Sequence, residues 1–328
     1  MNIRLLLIAA LLTLIACGGL GTPPVTTAGE KDFSKDYPKD KYMSEVGMGQ
    51  SEPEAKNRAK AELSLIFESR IRTDTLDQMR SVLASSGAEQ FEQSIESKIK
   101  VESNVELQGL EIARVWKKGA TYYALAVLER AKAHREWSRR VSDMDSEADG
   151  YMSTYKSAAT TLGRYRALRN VSDIWVKREI IGSRISVLGF TPPVSPIDAG
   201  MVLKQIPVLK ADMPILLDIK SDYSDVIRDS IGAALGKSGF IMTFRESEAA
   251  VIIDGFIYVE ALDLEHPTMK YARATASLSV IDAENGQSVA EVSEARRTAH
   301  ITLSEAKEQS VRKISPKIVE AIVQAIDR

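Results

Sequence analysis

Few residues in this 328-residue chain combine into chemistry. The single cysteine, Cys17, stands after an apolar run and before Gly18-Gly19. A lone thiol closes no intrachain disulfide and founds no Cys-based zinc module. His134, His266 and His300 are the only histidines, and no two have ligand spacing. His266 lies near Asp263 and Glu265, a group that a polar loop accounts for. No Gly-x-Ser-x-Gly elbow is present. Gly232-Ala233-Ala234-Leu235-Gly236-Lys237-Ser238 is one residue short of a phosphate-binding loop. It also closes a predicted helix, where such a loop would open one. Gly47-Met48-Gly49 lacks the third glycine of a dinucleotide fingerprint, and Glu52 in its place would repel a pyrophosphate. Carboxylate pairs abound, but sequence context distinguishes none of them. The expectation is therefore no catalytic residue, no cofactor, no metal site and no enzyme.

The residues around Cys17 are more telling. Met1 to Arg4 carries one basic side chain, and Leu5 to Ile15 is apolar except for Thr13. That run is too short for a typical membrane span and suits the core of a signal peptide. Leu14-Ile15-Ala16-Cys17 resembles the bacterial lipobox. The resemblance implies cleavage after Ala16, so that residues 1–16 are a lipoprotein signal peptide. Cys17 is then the lipid attachment residue, carrying diacylglyceryl and acyl (palmitate-like) groups. More than one chain gives stable anchoring, where a single chain binds only marginally. An uncleaved anchor or a buried free thiol is the alternative. Gly18, in place of an Asp, implies the outer membrane, with the body facing the periplasm. Residues 17–38 hold Gly, Thr, Pro and Lys without periodicity and read as a lipidated flexible tether.

Composition narrows the body that is held. A net charge of −2 and 6% aromatic residues argue against nucleic acid as a partner. The length fits two domains or more, and no apolar run after residue 17 could span a bilayer.

Residues 39–130 predict a first α+β domain. Tyr42–Gly49 reads as a strand ending in glycines. Ser51 and Glu54 form a capping box, and Ala55, Ala59, Leu63, Ile66 and Phe67 give one apolar helical face. The small alanines predict close packing on a sheet. Residues 76–98 read as helical, residues 100–116 as extended, and Tyr122–Leu128 as a buried strand after a turn at Lys118-Gly119. These features fall in the order Gly47 and Gly49; Ser51, Glu54, Ala55 and Ala59; Leu107, Gly109, Leu110, Ile112 and Trp116; then Tyr122 to Ala126. In that order they resemble the LPP-twenty family of bacterial lipoproteins. The resemblance implies an α+β domain on an envelope lipoprotein, with relatives associated with flagellar outer-membrane rings. It brings no catalytic residue with it.

Residues 131–190 predict a helical hairpin. Trp137, Val141, Met144, Ala148, Tyr151, Tyr155, Ala158, Leu162 and Tyr165 alternate by four and three, a seam along one long arm. Asn170 and Ser172-Asp173 mark the expected turn. The seam serves either packing inside the chain or a coiled-coil arm for a partner or a second copy. Arg130, Lys132, Arg135, Arg139 and Arg140 are followed at once by Asp143, Asp145, Glu147 and Asp149, and read as a solvated face. Residues 191–199 form a Pro-rich linker. Residues 200–328 predict a second α+β domain, one antiparallel sheet with helices on one face. Ala249–Val259 is apolar on both faces and so is expected to be buried and central. This unit resembles, loosely, periplasmic assembly domains of curli-secretion lipoproteins.

The expected fold class is therefore α+β: two small mixed domains joined by a helical hairpin, after a cleaved signal peptide. The expected role is a non-enzymatic, outer-membrane-anchored envelope component acting through protein contacts, flagellar or secretion-associated, with envelope proteins as partners and homo-oligomers also open. The alternative is a module that binds peptidoglycan or another envelope polymer.

Overall fold

The computed structural model describes residues 33–86, 92–103 and 107–328. Leu14, Ile15, Ala16 and Cys17 lie outside the described residues, with the rest of 1–32. The chain is an α+β protein with two sheets.

The first sheet has the order β1-β3-β2, all antiparallel: β1 (Tyr42–Gly49), β2 (Glu111–Lys118) and β3 (Thr121–Glu129). α1 (Glu52–Ser86) covers one face. Its start is tied twice: Glu54 N donates to Ser51 Oγ at 3.4 Å, and Gln50 N donates to Glu54 Oε2 at 2.8 Å. β1 meets α1 backbone to backbone. A Cβ at Gly47 would overlap Ala59 N and Ala55 O, so glycine opposite alanine is what permits the approach.

α1 continues through Ile71 as one helix, bridging the two helical stretches that the sequence predicts around 55–67 and from 76. Its buried residues are Ala55, Ala59, Leu63, Phe67, Ile71, Thr75, Met79 and Leu83, an unbroken four-residue spacing. Each step of four turns about 40° past a full helical repeat, so the stripe winds around the helix. The alanine end therefore faces the sheet, and the far end faces other helices. Thr75, in that stripe, is satisfied by Ser183 Oγ at 2.7 Å. α2 (Glu92–Ser103) packs beside it and keeps Lys100 helical; the extended stretch begins only at Glu111.

α3 (Arg130–Ser157) and α4 (Thr161–Val187) form an antiparallel pair. The turn lies at 158–160, a dozen residues before the position expected from Asn170 and Ser172-Asp173. Ala158 is extended, and Thr160 Oγ1 accepts from Gly163 N at 3.1 Å to start α4. Leu162 and Tyr165 thus belong to the return arm. The pair forms a spine along two cores. Trp137 and Val141 of α3 join Trp175, Val176, Ile180 and Ile185 of α4 in the first core. Tyr151 and Tyr155 join Leu162, Tyr165, Leu168 and Val171 in the second. The seam is consumed inside the chain.

Residues 188–198 carry neither helix nor strand. α5 (Ala199–Ala211) follows, unassigned in the sequence reading; Asp198 Oδ1 accepts from Met201 N at 2.9 Å to cap it.

The second sheet has the order β5-β4-β6-β7-β8. Its elements are β4 (Ile215–Lys220), α6 (Ser224–Lys237), β5 (Met242–Thr243), β6 (Val251–Leu262), β7 (Lys270–Asp282), β8 (Gln287–His300) and α7 (Leu303–Asp327). The sheet is mixed, where the sequence predicts an antiparallel one. β4 runs parallel to both β5 and β6, because α6 carries the chain back across the sheet before β5. β6 is central, as expected. Only one of its faces is covered, however. Val251, Ile253 and Ile257 are buried under the helices, while Phe256 is 53% and Tyr258 61% exposed on the other face.

Candidate functional site

The chain reaches the first sheet on the face away from α1. Phe33 packs on Trp116 at 5.2 Å, and Trp116 stacks on Tyr123 at 5.4 Å and 10°. Further along, Asp36 pairs with Arg114 at 3.6 Å and Tyr37 meets Tyr42 at 5.3 Å. Trp116 is opposite Tyr123 near the β2–β3 turn, whereas Tyr42 is opposite Glu129 at the other end of β3. Residues 33–41 therefore run the length of this face before β1 begins. They help cover Leu125 and Val127, which alternate with the α1-facing Ala124, Ala126 and Leu128 and are themselves buried. The sequence reading ends the tether at Pro38, yet Phe33 is already seated. Arg130 fastens the far end, donating to Lys39 O at 3.0 Å and to Leu188 O at 2.7 Å.

The buried charges hold the frame. Arg178, 2% exposed, donates from Nε to Asp145 Oδ1 at 2.6 Å, from Nη1 to Glu179 Oε1 at 3.1 Å and from Nη2 to Pro193 O at 2.9 Å. One guanidinium thus joins α3, α4 and the Pro-rich segment. A second group closes the end of α7. Tyr165 Oη donates to Asp327 Oδ1 at 2.7 Å, Arg169 Nη2 to Asp327 Oδ2 at 3.2 Å and Arg166 Nε to Ile326 O at 3.2 Å. Arg166 and Arg169 sit where the carbonyl end of the helix is negative. Burial, then the Asp327 carboxylate, raises the Tyr165 hydroxyl well above the ordinary tyrosine range. Burial lowers the ammonium of Lys210, which lies 4.1 Å over the Phe240 ring. Glu284, from the β7–β8 turn, accepts from Thr161 Oγ1 at 3.0 Å and from Thr161 N, capping α4 from the second sheet. Each of these side chains satisfies a backbone end or another charge, which is structural work.

The histidines stay apart. His134 stacks on Phe190 at 4.1 Å. His266 Nδ1 accepts from Thr268 N and Met269 N, closing its own loop. His300 lies 3.6 Å from Glu305 at the start of α7. Among the described residues, no three of His, Cys, Asp and Glu gather as a metal site. Gly232–Ser238 lies along the end of α6, with no strand leading into it.

The open ground is on the second sheet. A cleft of about 280 Å³ lies between α6 and the short β5, edged by Arg228, Met242 and Phe244. Beyond the end of β4, another of about 330 Å³ is lined by Lys220, Asp222, Tyr223, Phe256 and Tyr258. Phe256 and Tyr258 share one face of β6 with a period of two. Across β7 that face continues as Ser277, Thr275 and Arg273, and Arg273 reaches Glu260 at 3.6 Å. In β6, apolar residues at both parities concealed this face in the sequence.

No protein-family model matches the chain, and no curated protein does. Solved structures give partial superpositions. A secreted protein of Helicobacter pylori covers 87% of this chain and 97% of its own length, at 12% identity and a TM-score of 0.45. A minor lipoprotein of Acinetobacter baumannii covers 34% and 94%, at 12% identity and a TM-score of 0.30. A proposed lipoprotein of Caulobacter crescentus covers 34% and 87%, at 13% identity and a TM-score of 0.27. None of these superpositions decides an activity.

Proposed function

We propose that this chain is a lipid-anchored envelope protein, held at the outer membrane through Cys17 and facing the periplasm. It works without catalysis, by presenting its second sheet to protein partners in a larger envelope assembly, flagellar or secretion-associated. The observation that carries this reading is the apolar run Leu5–Ile15 ending at the chain's only cysteine. Two structural facts accord with it. No helix among the described residues is long and apolar enough to cross a membrane. Buried Arg178 joins α3, α4 and the Pro-rich segment, and the exposed aromatics Phe256 and Tyr258 lie on an uncovered face.

Replacing Cys17 by Ala tests the anchor. The variant is expected to lose metabolic fatty-acid labelling and to leave the membrane fraction. A labelled, membrane-bound Cys17→Ala protein would end the reading. A photo-crosslinker at Tyr258 tests the surface: discrete protein adducts are expected in cells. A second reading, binding of a glycan polymer, draws on the same exposed pair, since aromatic faces can stack on sugar rings. Co-sedimentation with cell-wall sacculi that depends on Phe256 and Tyr258, without protein adducts, would favour it.

A further inference from the structure

The turn between β2 and β3 stands where the chain departs toward Cys17. Its sequence from Trp116 to Tyr123 holds three aromatic residues, two lysines and no carboxylate. Lys117, Lys118, Gly119 and Ala120 are exposed. Lys117 Nζ lies 4.6 Å over the Tyr122 ring and 3.3 Å from its hydroxyl, so its charge is held at the tip. Phe33, at the head of the described segment, rests on Trp116.

We propose that this hairpin tip seats on an anionic phospholipid surface, so that the body meets the membrane in a fixed orientation. The inference rests on the anchoring of Cys17. Fifteen residues, Gly18 to Asp32, separate that cysteine from Phe33. Even fully extended they reach no more than about 55 Å. The tip is thus the part of the described body with the shortest leash to the bilayer. Confinement within that reach makes a second, weak contact with the same bilayer intramolecular. The chemistry of the tip suits the partner. Lysines are drawn to anionic headgroups, and the stretch from Trp116 to Tyr123 carries only positive charge. The end of the first sheet that carries Tyr42 and Glu129 is a full strand length away from this leash.

The test uses the lipidated protein purified from membranes and reconstituted into vesicles of phosphatidylcholine, with or without phosphatidylglycerol. A fluorophore on Ala120→Cys reports contact through quenching by nitroxide-bearing lipids. A second on Ser247→Cys, in the other domain, is the reference. Quenching at position 120 is expected with phosphatidylglycerol, several-fold less without it, and little at position 247. Lys117→Glu with Lys118→Glu is expected to lower the contact equilibrium by at least about thirtyfold, the loss of two lysines alone, while flotation with the vesicles persists. Both lysines are exposed, and an unchanged circular dichroism spectrum verifies that the double variant is folded. Protein that floats but shows equal quenching in both vesicle types, or quenching indifferent to the charge reversal, overturns the tip contact and leaves the anchor standing. Protein that does not float overturns the anchor and this inference with it.

Discussion

The two sheets make opposite use of their outer faces. On the first, residues 33–41 lie over the face that α1 does not cover, and Leu125 and Val127 are buried beneath. On the second, α6 and α7 cover one face, and the other leaves Phe256 and Tyr258 more than half exposed. Both sheets carry aromatics on that side. In the first they have partners within the chain, Trp116 between Phe33 and Tyr123. In the second they have solvent. The three-stranded sheet carries apolar Leu125 and Val127 on its outer face, and both are buried. The five-stranded sheet, with a 25-residue helix beneath it, can spare an outer face. The room for a partner is therefore on the second sheet, and the first is bound up with the chain's own N-terminal approach.

Substitutions break or sharpen this contrast. The largest effect is expected from Gly47→Val, which forces α1 off the covered inner face of the first sheet. A loss of about 4 kcal/mol should be seen in urea unfolding. Arg178→Met should cost about 3 kcal/mol, because Asp145 and Glu179 are left without their guanidinium. It tests whether the spine, and not only the sheets, holds the body together. Trp116→Ala should cost about 2 kcal/mol and expose residues 33–41 to limited proteolysis. Tyr165→Phe removes one hydrogen bond to Asp327, worth about 1 kcal/mol. Its pH behaviour has a definite sign. The folded state holds the Tyr165 proton more tightly than the unfolded chain, so stability is full below the unfolded tyrosine pKa of about 10 and falls as pH rises above it. Tyr165→Phe should lose that part of the alkaline destabilisation. Phe256→Ser with Tyr258→Ser should change stability by less than about 0.5 kcal/mol and yet abolish crosslinks to partners. If that pair destabilises the fold as Trp116→Ala does, the contrast between the sheets is wrong.

Local chemistry was the legible part. Gly47 opposite Ala55 and Ala59, the Ser51 cap and the β2–β3 turn all follow from short-range rules. What escaped sequence reading depended on partners distant in the chain. The α3 seam runs on through Leu162 and Tyr165 because both arms keep apolar residues in the same phase, so periodicity alone passes over the break at 158–160. The better signal was Thr160, three residues before Gly163, whose amide it caps. α1 hid its length because a four-residue stripe drifts around the helix, so the face read from Ala55 to Phe67 does not continue in the same direction beyond Ile71. α5 carries Pro207 within it, which obscured the buried series Val202, Leu203, Ile206 and Leu209. The parallel setting of β4 and the bare face of β6 are properties of the assembled sheet. As for the candidate site, Cys17 and its flanking residues were legible as a motif, whereas the Phe256–Tyr258 surface emerged only from the fold.

The measurement that bears most directly on the central claim is mass spectrometry of the N-terminal peptide of the protein isolated from its own membranes. The account predicts a chain that begins at Cys17 and carries a diacylglyceryl group on sulfur, with or without a further acyl group on the amine. A chain that retains residues 1–16, or one that bears an unmodified Cys17 thiol, would contradict it.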